Sequence, residues 1–128
     1  MIAGQDVARS PTTILIVDDH ASFRGLARRL LSAGGFQVVG EAADATEAIA
    51  AAERLSPDVV LLDIQLPDMD GFGVADALAG QRRPPAVVLV SSRSAADYGS
   101  RIGDSSVRGF IGKADLSPET LDSVLGGG

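Results

Sequence analysis

The sequence contains no cysteine and fewer basic than acidic residues, and both shortages argue against particular classes of function. Without cysteine the chain forms no disulfides, thiolate metal sites or cysteine nucleophiles, which fits a reducing cytosol. The net charge is -6 at pH 7. Proteins that bind nucleic acids usually carry the opposite balance, so we expect no nucleic-acid binding by this chain alone.

Long apolar runs are also missing. The longest stretches span only a few residues, as at Ala86–Val90, and none is long enough to cross a bilayer. The first residues, Met1–Thr13, have no apolar core of the kind found in signal peptides. We therefore expect a cytoplasmic protein without membrane contact.

The 128 residues, 45% of them hydrophobic, suffice for one domain with its own core. We expect a flexible N-terminal segment (1–12), a domain (13–125) and a glycine tail (126–128).

Apolar β-branched runs alternate with amphipathic stretches along the domain. Predicted strands are Ile14–Val17, Phe36–Val39, Val59–Leu62, Ala86–Val90 and Phe110–Gly112. Predicted helices are 23–31, 44–52, 72–78 and 118–125, and a Ser- and Gly-rich stretch, Ser94–Asp104, predicts only a short, mobile helix. This alternation predicts a doubly wound α/β fold with a five-stranded parallel sheet, in the order 2-1-3-4-5.

Two helices carry more specific signals. In the first, the apolar stripe includes Leu26, while Arg24 and Arg28 fall on the opposite, solvated side. In the second, Asp44 is the predicted N-cap and Glu47, three residues later, completes a capping box.

Polar residues follow four of the five predicted strands. Asp18 and Asp19 follow the first strand, Asp63 follows the third, Ser91 the fourth and Lys113 the fifth. In the order 2-1-3-4-5 these strand ends meet in one cleft. Clustered carboxylates repel one another unless a cation is present, and oxygen ligands suit Mg²⁺. A hydroxyl and an ammonium group beside them are suited to contact a phosphoryl group.

Taken singly, these residues have ordinary explanations: Asp19 as a helix cap, Ser91 as a turn residue, Lys113 as a surface charge.

Other classes of α/β enzyme fit this sequence less well. A dinucleotide-binding fold needs a glycine-rich turn where Asp18-Asp19-His20 stands, and the sequence has no P-loop. A haloacid-type phosphatase would have an acid at position 20, which is histidine.

Four segments together resemble the bacterial response-regulator receiver family. They are Ile16–Asp19, Asp58–Gly71, Val87–Ser91 and Gly109–Lys113. The resemblance implies the flavodoxin-like receiver fold. His20, followed by Phe23 and Arg24, resembles the subfamily that usually carries a helix-turn-helix output domain.

The resemblance also implies a role for each site residue. Asp63 would accept the phosphoryl group from a sensor histidine kinase. Asp19 would bind Mg²⁺ directly and Asp18 mostly through water, with Asp63 and the Gln65 carbonyl completing the metal site.

Ser91 and Lys113 would contact the phosphoryl oxygens, and Ser91 and Phe110 would form the switch. The chain would catalyse only its own phosphorylation and dephosphorylation. Its partners would be the kinase and a downstream output protein or a DNA-binding domain outside this sequence, with the chain itself a monomer or weak dimer. The alternative is a degenerate receiver that never carries phosphate and acts only as an interaction module.

Overall fold

The computed structural model describes residues 11–126 and contains one parallel sheet with helices on both faces. The strand order is β2-β1-β3-β4-β5. The strands are β1 (Thr13–Val17), β2 (Gln37–Ala42), β3 (Val59–Asp63), β4 (Ala86–Ser91) and β5 (Gly109–Gly112). The predicted fold class and strand order are confirmed. In the described range, no helix has the length and apolar character needed to span a bilayer.

Five α-helices connect the strands or follow them in the described range. They are α1 (Ala21–Ala33), α2 (Ala45–Leu55), α3 (Gly71–Ala79), α4 (Arg101–Asp104) and α5 (Pro118–Gly126). Side chains alternate along each strand, so Leu15 packs with α2 and α3 while Ile16 packs with α1 and α5. Both faces of the sheet are therefore buried, which explains the continuous apolar runs of β1, β3 and β4.

The register of the parallel strands aligns the polar residues at their carboxyl ends. Val17 is paired with Leu62, so the next residues, Asp18 and Asp63, are neighbours at the same edge of the sheet. Ser91 is paired with Gly112 on β5, and Lys113 follows directly. The edge predicted to hold the site therefore receives side chains from β1, β3, β4 and the segment after β5.

A polar clamp connects the other ends of β1 and β3. The Thr13 amide donates to Asp58 Oδ2 at 2.9 Å, and the Thr13 hydroxyl donates to the same oxygen at 3.1 Å. The Asp58 amide donates in return to Thr13 Oγ1 at 2.9 Å. These three hydrogen bonds fix the starting points of the two central strands relative to each other.

Helix α1 differs from the predicted amphipathic pattern. Ala27 and Leu31 are fully buried, but Leu26 is 42% exposed, because the line of contact with the sheet is narrower than the apolar stripe. Arg24 and Arg28, predicted to be solvated, both bind Glu41 of β2, at 3.1 Å and 2.6 Å. Arg28 is 44% exposed, as predicted, whereas the Arg24 side chain is only 19% exposed, because α1 lies alongside the end of β2, within reach of its acidic residue.

The start of α2 is capped by two aspartates from different parts of the chain. Asp44 accepts from the Glu47 amide at 2.8 Å, as predicted. The Glu47 side chain, however, accepts from the Ala43 amide at 3.0 Å rather than from the Asp44 amide, so the predicted capping box is not formed. Asp68, from the loop after β3, accepts from the Ala45 and Thr46 amides at 2.8 Å and 3.1 Å. The loop that follows Asp63 is thus attached to α2.

The weak helix predicted at Ser94–Asp104 is a 3-10 turn (Ala95–Tyr98) followed by the four residues of α4. Its predicted mobility stays a prediction. Ser117 caps the start of α5, since its hydroxyl accepts from the Thr120 amide at 3.0 Å.

At the chain ends, the Thr12 carbonyl already accepts from Gln37 of β2, and Gly126 is the last residue of α5. Residues 1–10 and 127–128 of the predicted terminal segments lie outside the described residues.

Gly71 closes the loop after β3 by direct backbone contact. Its amide donates to the Ile64 carbonyl at 2.6 Å. A Cβ at this position would lie 2.8 Å from the Asp63 carbonyl oxygen and 2.8 Å from Ile64 Cα. Both neighbours are backbone atoms of the segment that carries Asp63, so any side chain here displaces that segment.

We expect Gly71→Ala to lower the free energy of unfolding by about 1–3 kcal/mol, the usual cost of overpacking. Urea denaturation of the two proteins measures the difference. Gly103→Ala is the matched control, because nothing lies within 4 Å of its Cβ position. It should be neutral or slightly stabilising, since alanine favours helix. A Gly71→Ala protein as stable as the Gly103→Ala control would contradict this account of the loop.

Candidate functional site

Three aspartates and a histidine converge at the carboxyl edge of the sheet. One potential ligand atom from each of Asp18, Asp19, His20 and Asp63 lies within 4.8 Å of the others. Asp18 is fully buried and Asp63 is 4% exposed, whereas the Asp19 side chain is 37% exposed. The site is therefore a shallow cleft with two buried carboxylates at its base and one at its rim.

Lys113 contacts both buried carboxylates. Its Nζ lies 2.6 Å from Asp18 Oδ2 and 3.6 Å from Asp63 Oδ2. The ammonium also lies 4.6 Å from the ring centre of Phe23, a distance typical of a cation–π contact. The lysine is therefore not a surface charge, since its side chain is only 17% exposed and compensates the carboxylates.

Two residues that the sequence did not assign to the site position Asp18. The His20 amide donates to Asp18 Oδ1 at 2.8 Å, and the His20 Nδ1 lies 3.0 Å from the same oxygen. Nδ1 also lies 3.1 Å from Asp19 Oδ1. Arg24 donates to the Asp18 backbone carbonyl at 2.6 Å. His20 itself occupies the N-cap position of α1, so Asp19 is not the cap of that helix.

The Asp63 carboxyl group has a pKa above its ordinary value. Burial is the largest cause, and the neighbouring Asp18 carboxylate raises the pKa further. The Lys113 ammonium and the Gln65 amide, which lies 3.4 Å from Asp63 Oδ1, oppose part of this effect. A carboxylate of raised pKa is more basic, and therefore more nucleophilic, than an exposed aspartate once it is ionised.

Ser91 is buried at the end of β4 and has two hydrogen-bonding neighbours. The Arg93 amide donates to Ser91 Oγ at 3.0 Å. The Tyr98 hydroxyl lies 2.7 Å from the same oxygen. The sequence predicted Ser91 as a site residue but gave no role to Tyr98. A signal was available, because Tyr98 is the one aromatic residue of the segment Ser94–Asp104.

Phe110 and Gln65 are the remaining predicted residues. Phe110 packs against Tyr98, with ring centres 6.2 Å apart. Gln65 follows β3 by two residues and is exposed, and its backbone bridges to Asp70.

The donor set fits a hard divalent cation. The buried and rim carboxylates supply oxygen ligands in close proximity, and their mutual repulsion favours a bound cation. Such a set suits Mg²⁺, which retains several waters and takes only a few protein ligands. Beside it, the Lys113 ammonium and the Ser91 hydroxyl provide hydrogen-bond donors for an anionic group placed near Asp63.

Comparison with known proteins agrees with this geometry. A family model described as "Response regulator receiver domain" matches residues 14–125. The chain is 32% identical to the signal receiver domain of the putative response regulator NarL from Mycobacterium tuberculosis. That structure superposes with a TM-score of 0.81 and covers 92% of this chain and 99% of the other.

Curated relatives match over part of their length. The transcriptional regulatory protein PdtaR of Mycobacterium tuberculosis is 35% identical over 115 residues, which are 87% of this chain and 56% of the relative. A protein-glutamate methylesterase/protein-glutamine glutaminase of Myxococcus xanthus is 48% identical over 84 residues, which are 65% of this chain and 24% of the relative. The chain thus spans between a quarter and about half of the length of these proteins.

The raised pKa of Asp63 predicts how its substitution affects stability. A carboxyl group with a higher pKa in the folded state binds protons more tightly there. The contribution of Asp63 to the free energy of unfolding therefore falls as the pH rises from its ordinary pKa of 3.8 through its raised pKa. Without metal at neutral pH, Asp63→Asn should raise the free energy of unfolding, because the amide removes a buried charge and its repulsion with Asp18. Lys113 remains compensated by Asp18 in the variant.

Urea denaturation across a pH series measures this effect. The gain should shrink as the pH is lowered toward the ordinary pKa, because Asp63 is then protonated in the wild type too. Asp122→Asn, at an exposed position of α5, is the control and should change stability little at any pH. An Asp63→Asn protein that is less stable than wild type at neutral pH contradicts the argument.

Proposed function

The chain belongs to the response regulator receiver domain family, and from that premise we propose that Asp63 is its phosphoryl acceptor. Phosphoryl acceptance and dependence on Mg²⁺ are typical of this family. The observation that supports Asp63 is its position. It is a buried carboxylate at the end of a central strand, with Asp18 beside it and Lys113 Nζ 3.6 Å away.

The transfer we propose is a displacement at phosphorus. A carboxylate oxygen of Asp63 forms a new P–O bond while the P–N bond of the donor phosphohistidine breaks. The electron pair of that bond remains on the departing imidazole nitrogen, and the product is an acyl phosphate on Asp63. Water reverses the modification by hydrolysing the acyl phosphate, so that the chain returns to its starting state.

Lys113 and Ser91 stabilise the charge that develops on the phosphoryl oxygens. The ammonium of Lys113 is already held at the carboxylate pair and needs only a small displacement to pair with a phosphoryl oxygen. Ser91, at the end of the adjacent strand, donates its hydroxyl proton to another. Because both side chains are mostly buried, their interactions with charge are screened less than in water.

Asp19, Asp18, Asp63 and the Gln65 backbone carbonyl are the proposed residues for Mg²⁺. Asp19, at the rim, is the direct ligand. Asp18 acts mostly through water, because its oxygens already contact His20 and Lys113. Bound there, the ion would offset the charge of the carboxylates and of the incoming phosphoryl group.

The proposed partners are a sensor histidine kinase and an output protein or DNA-binding domain. Receiver domains in general interact with kinases and output domains. With a net charge of -6, this chain alone is proposed not to bind DNA, and we propose a cytoplasmic monomer or weak dimer. The degenerate, non-phosphorylated alternative is less well supported, because Lys113 contacts both Asp18 and Asp63, the arrangement that the proposed transfer uses.

Asp63→Asn should abolish Mg²⁺-dependent labelling by acetyl phosphate, because the amide is not a nucleophile for phosphorus. Intact-protein mass spectrometry measures the label, and sensitivity to hydroxylamine identifies an acyl phosphate. Asp76→Asn, which alters an exposed carboxylate on α3, should label like wild type. Full, hydroxylamine-sensitive labelling of the Asp63→Asn protein would show that the acceptor is another residue.

Asp19→Ala should weaken Mg²⁺ binding by about tenfold or more, since it removes a direct ligand. Ser91→Ala should change the affinity by no more than about twofold, because Ser91 is not a proposed ligand. Isothermal titration calorimetry of the wild type and both variants measures this. Equal affinities of wild type and Asp19→Ala would overturn the assignment of the metal ligand.

A further inference from the structure

We propose that Tyr98 is a positioning residue that orients the Ser91 hydroxyl toward the phosphoryl group on Asp63. The inference rests on the proposed function, because it assigns a second residue to the same site. Its basis is the 2.7 Å contact between the Tyr98 hydroxyl and Ser91 Oγ, at a residue that follows Ser91 by seven positions.

The hydrogen-bonding capacity of a serine hydroxyl limits what Ser91 can do. Its oxygen accepts at two lone pairs, and its single proton is donated to one partner. The Arg93 amide already donates to one of the lone pairs, at 3.0 Å. If Tyr98 donates to the other, both lone pairs are used and the Ser91 proton remains available for a phosphoryl oxygen.

Tyr98 is the better donor of the two hydroxyl groups. A phenolic O–H is more acidic than an alkyl O–H, and its oxygen is the poorer acceptor because its lone pair is delocalised into the ring. In the phosphorylated state, Tyr98 would donate to Ser91 and Ser91 to the phosphoryl oxygen. Such a chain is cooperative, because each hydrogen bond polarises the next and strengthens it.

Packing fixes the tyrosine ring even though its segment is a weak helix. The ring lies between Phe72, with centres 6.0 Å apart, and Phe110, with centres 6.2 Å apart. Arg101 reinforces this arrangement, since its guanidinium lies 4.2 Å from the centre of Phe72 and donates to Asp70 at 3.1 Å. The segment 94–104, described throughout, contains no fully buried residue, so its position depends on these contacts and on the packing of Ile102 against the core.

Phe110, the aromatic residue predicted to form the switch with Ser91, cannot hydrogen-bond to the Ser91 hydroxyl, because a phenylalanine has no hydroxyl group. The hydrogen bond to Ser91, at the end of β4, comes instead from Tyr98 in the segment after that strand. Phe110 contributes a packing surface for Tyr98.

A double-mutant cycle tests whether Tyr98 acts through Ser91. The variants are Tyr98→Phe, Ser91→Ala and the double substitution, each labelled with acetyl phosphate and Mg²⁺. Tyr98→Phe keeps the ring and removes only the hydroxyl. It should slow labelling about 3- to 10-fold, the effect of one neutral hydrogen bond. In the Ser91→Ala background it should cause no further decrease, because the hydroxyl that it positions is gone.

Ser105→Ala is the control, since it removes a hydroxyl of the same region that donates to Ile102 and does not contact Ser91. It should label like wild type. Faster labelling of Tyr98→Phe would show that Tyr98 competes with the phosphoryl group for Ser91 and would overturn the proposal. Unchanged labelling, or an equal decrease in the Ser91→Ala background, would overturn it as well. If wild type is not labelled, or Asp63→Asn still is, the proposed function fails instead.

A spectroscopic measurement tests the direction of the hydrogen bond independently of labelling. Tyr98 is the only tyrosine of the chain, which has no tryptophan, so near-ultraviolet absorption reports mainly on this residue. A phenol that donates absorbs at longer wavelength than one that accepts. Ser91→Ala should therefore shift the tyrosine band to shorter wavelength, and Ser105→Ala should not. A shift to longer wavelength, or none, would contradict donation by Tyr98.

Discussion

The contact of one ammonium group with two buried carboxylates is the interaction on which the site depends. Asp18 and Asp63 lie side by side because β1 and β3 are adjacent and in register, and burial makes their repulsion costly. Lys113 offsets that cost from the end of β5, at 2.6 Å from one carboxylate and 3.6 Å from the other. In this arrangement the pKa of Asp63 remains raised, and a positive charge lies beside its carboxylate.

Much of the site could be predicted from the sequence because its residues directly follow buried strands. Asp18, Asp63 and Ser91 each come after an apolar run whose pattern indicates a strand, and a parallel sheet brings such ends together. Tyr98 could not be predicted in this way. Its segment has no periodicity, and its contact with Ser91 depends on packing against aromatic residues from two other elements.

The errors on α1 and α2 have a related physical origin. A helical pattern shows which side chains share a face, but it does not show which strand end or loop lies beside that face. The sequence therefore predicted a solvated Arg24, whose side chain is in fact partly buried against Glu41. Likewise, Asp44 could be predicted as the N-cap of α2 from the local sequence. Asp68 also accepts a hydrogen bond from the start of that helix, but it comes from a loop more than twenty residues away.

The clamp between Thr13 and Asp58 has a consequence for the folding of the chain. These residues are 45 positions apart, so β1 joins β3 only after the intervening loop has been closed at an entropic cost. A one-residue slip between the two strands would exchange their buried faces and separate Asp18 from Asp63. The proximity of Asp18 and Asp63 thus depends on a contact between strands that are far apart in the sequence. In a nascent chain, or one in which β1 and β3 are not paired, Asp18 and Asp63 are apart and the site is not formed.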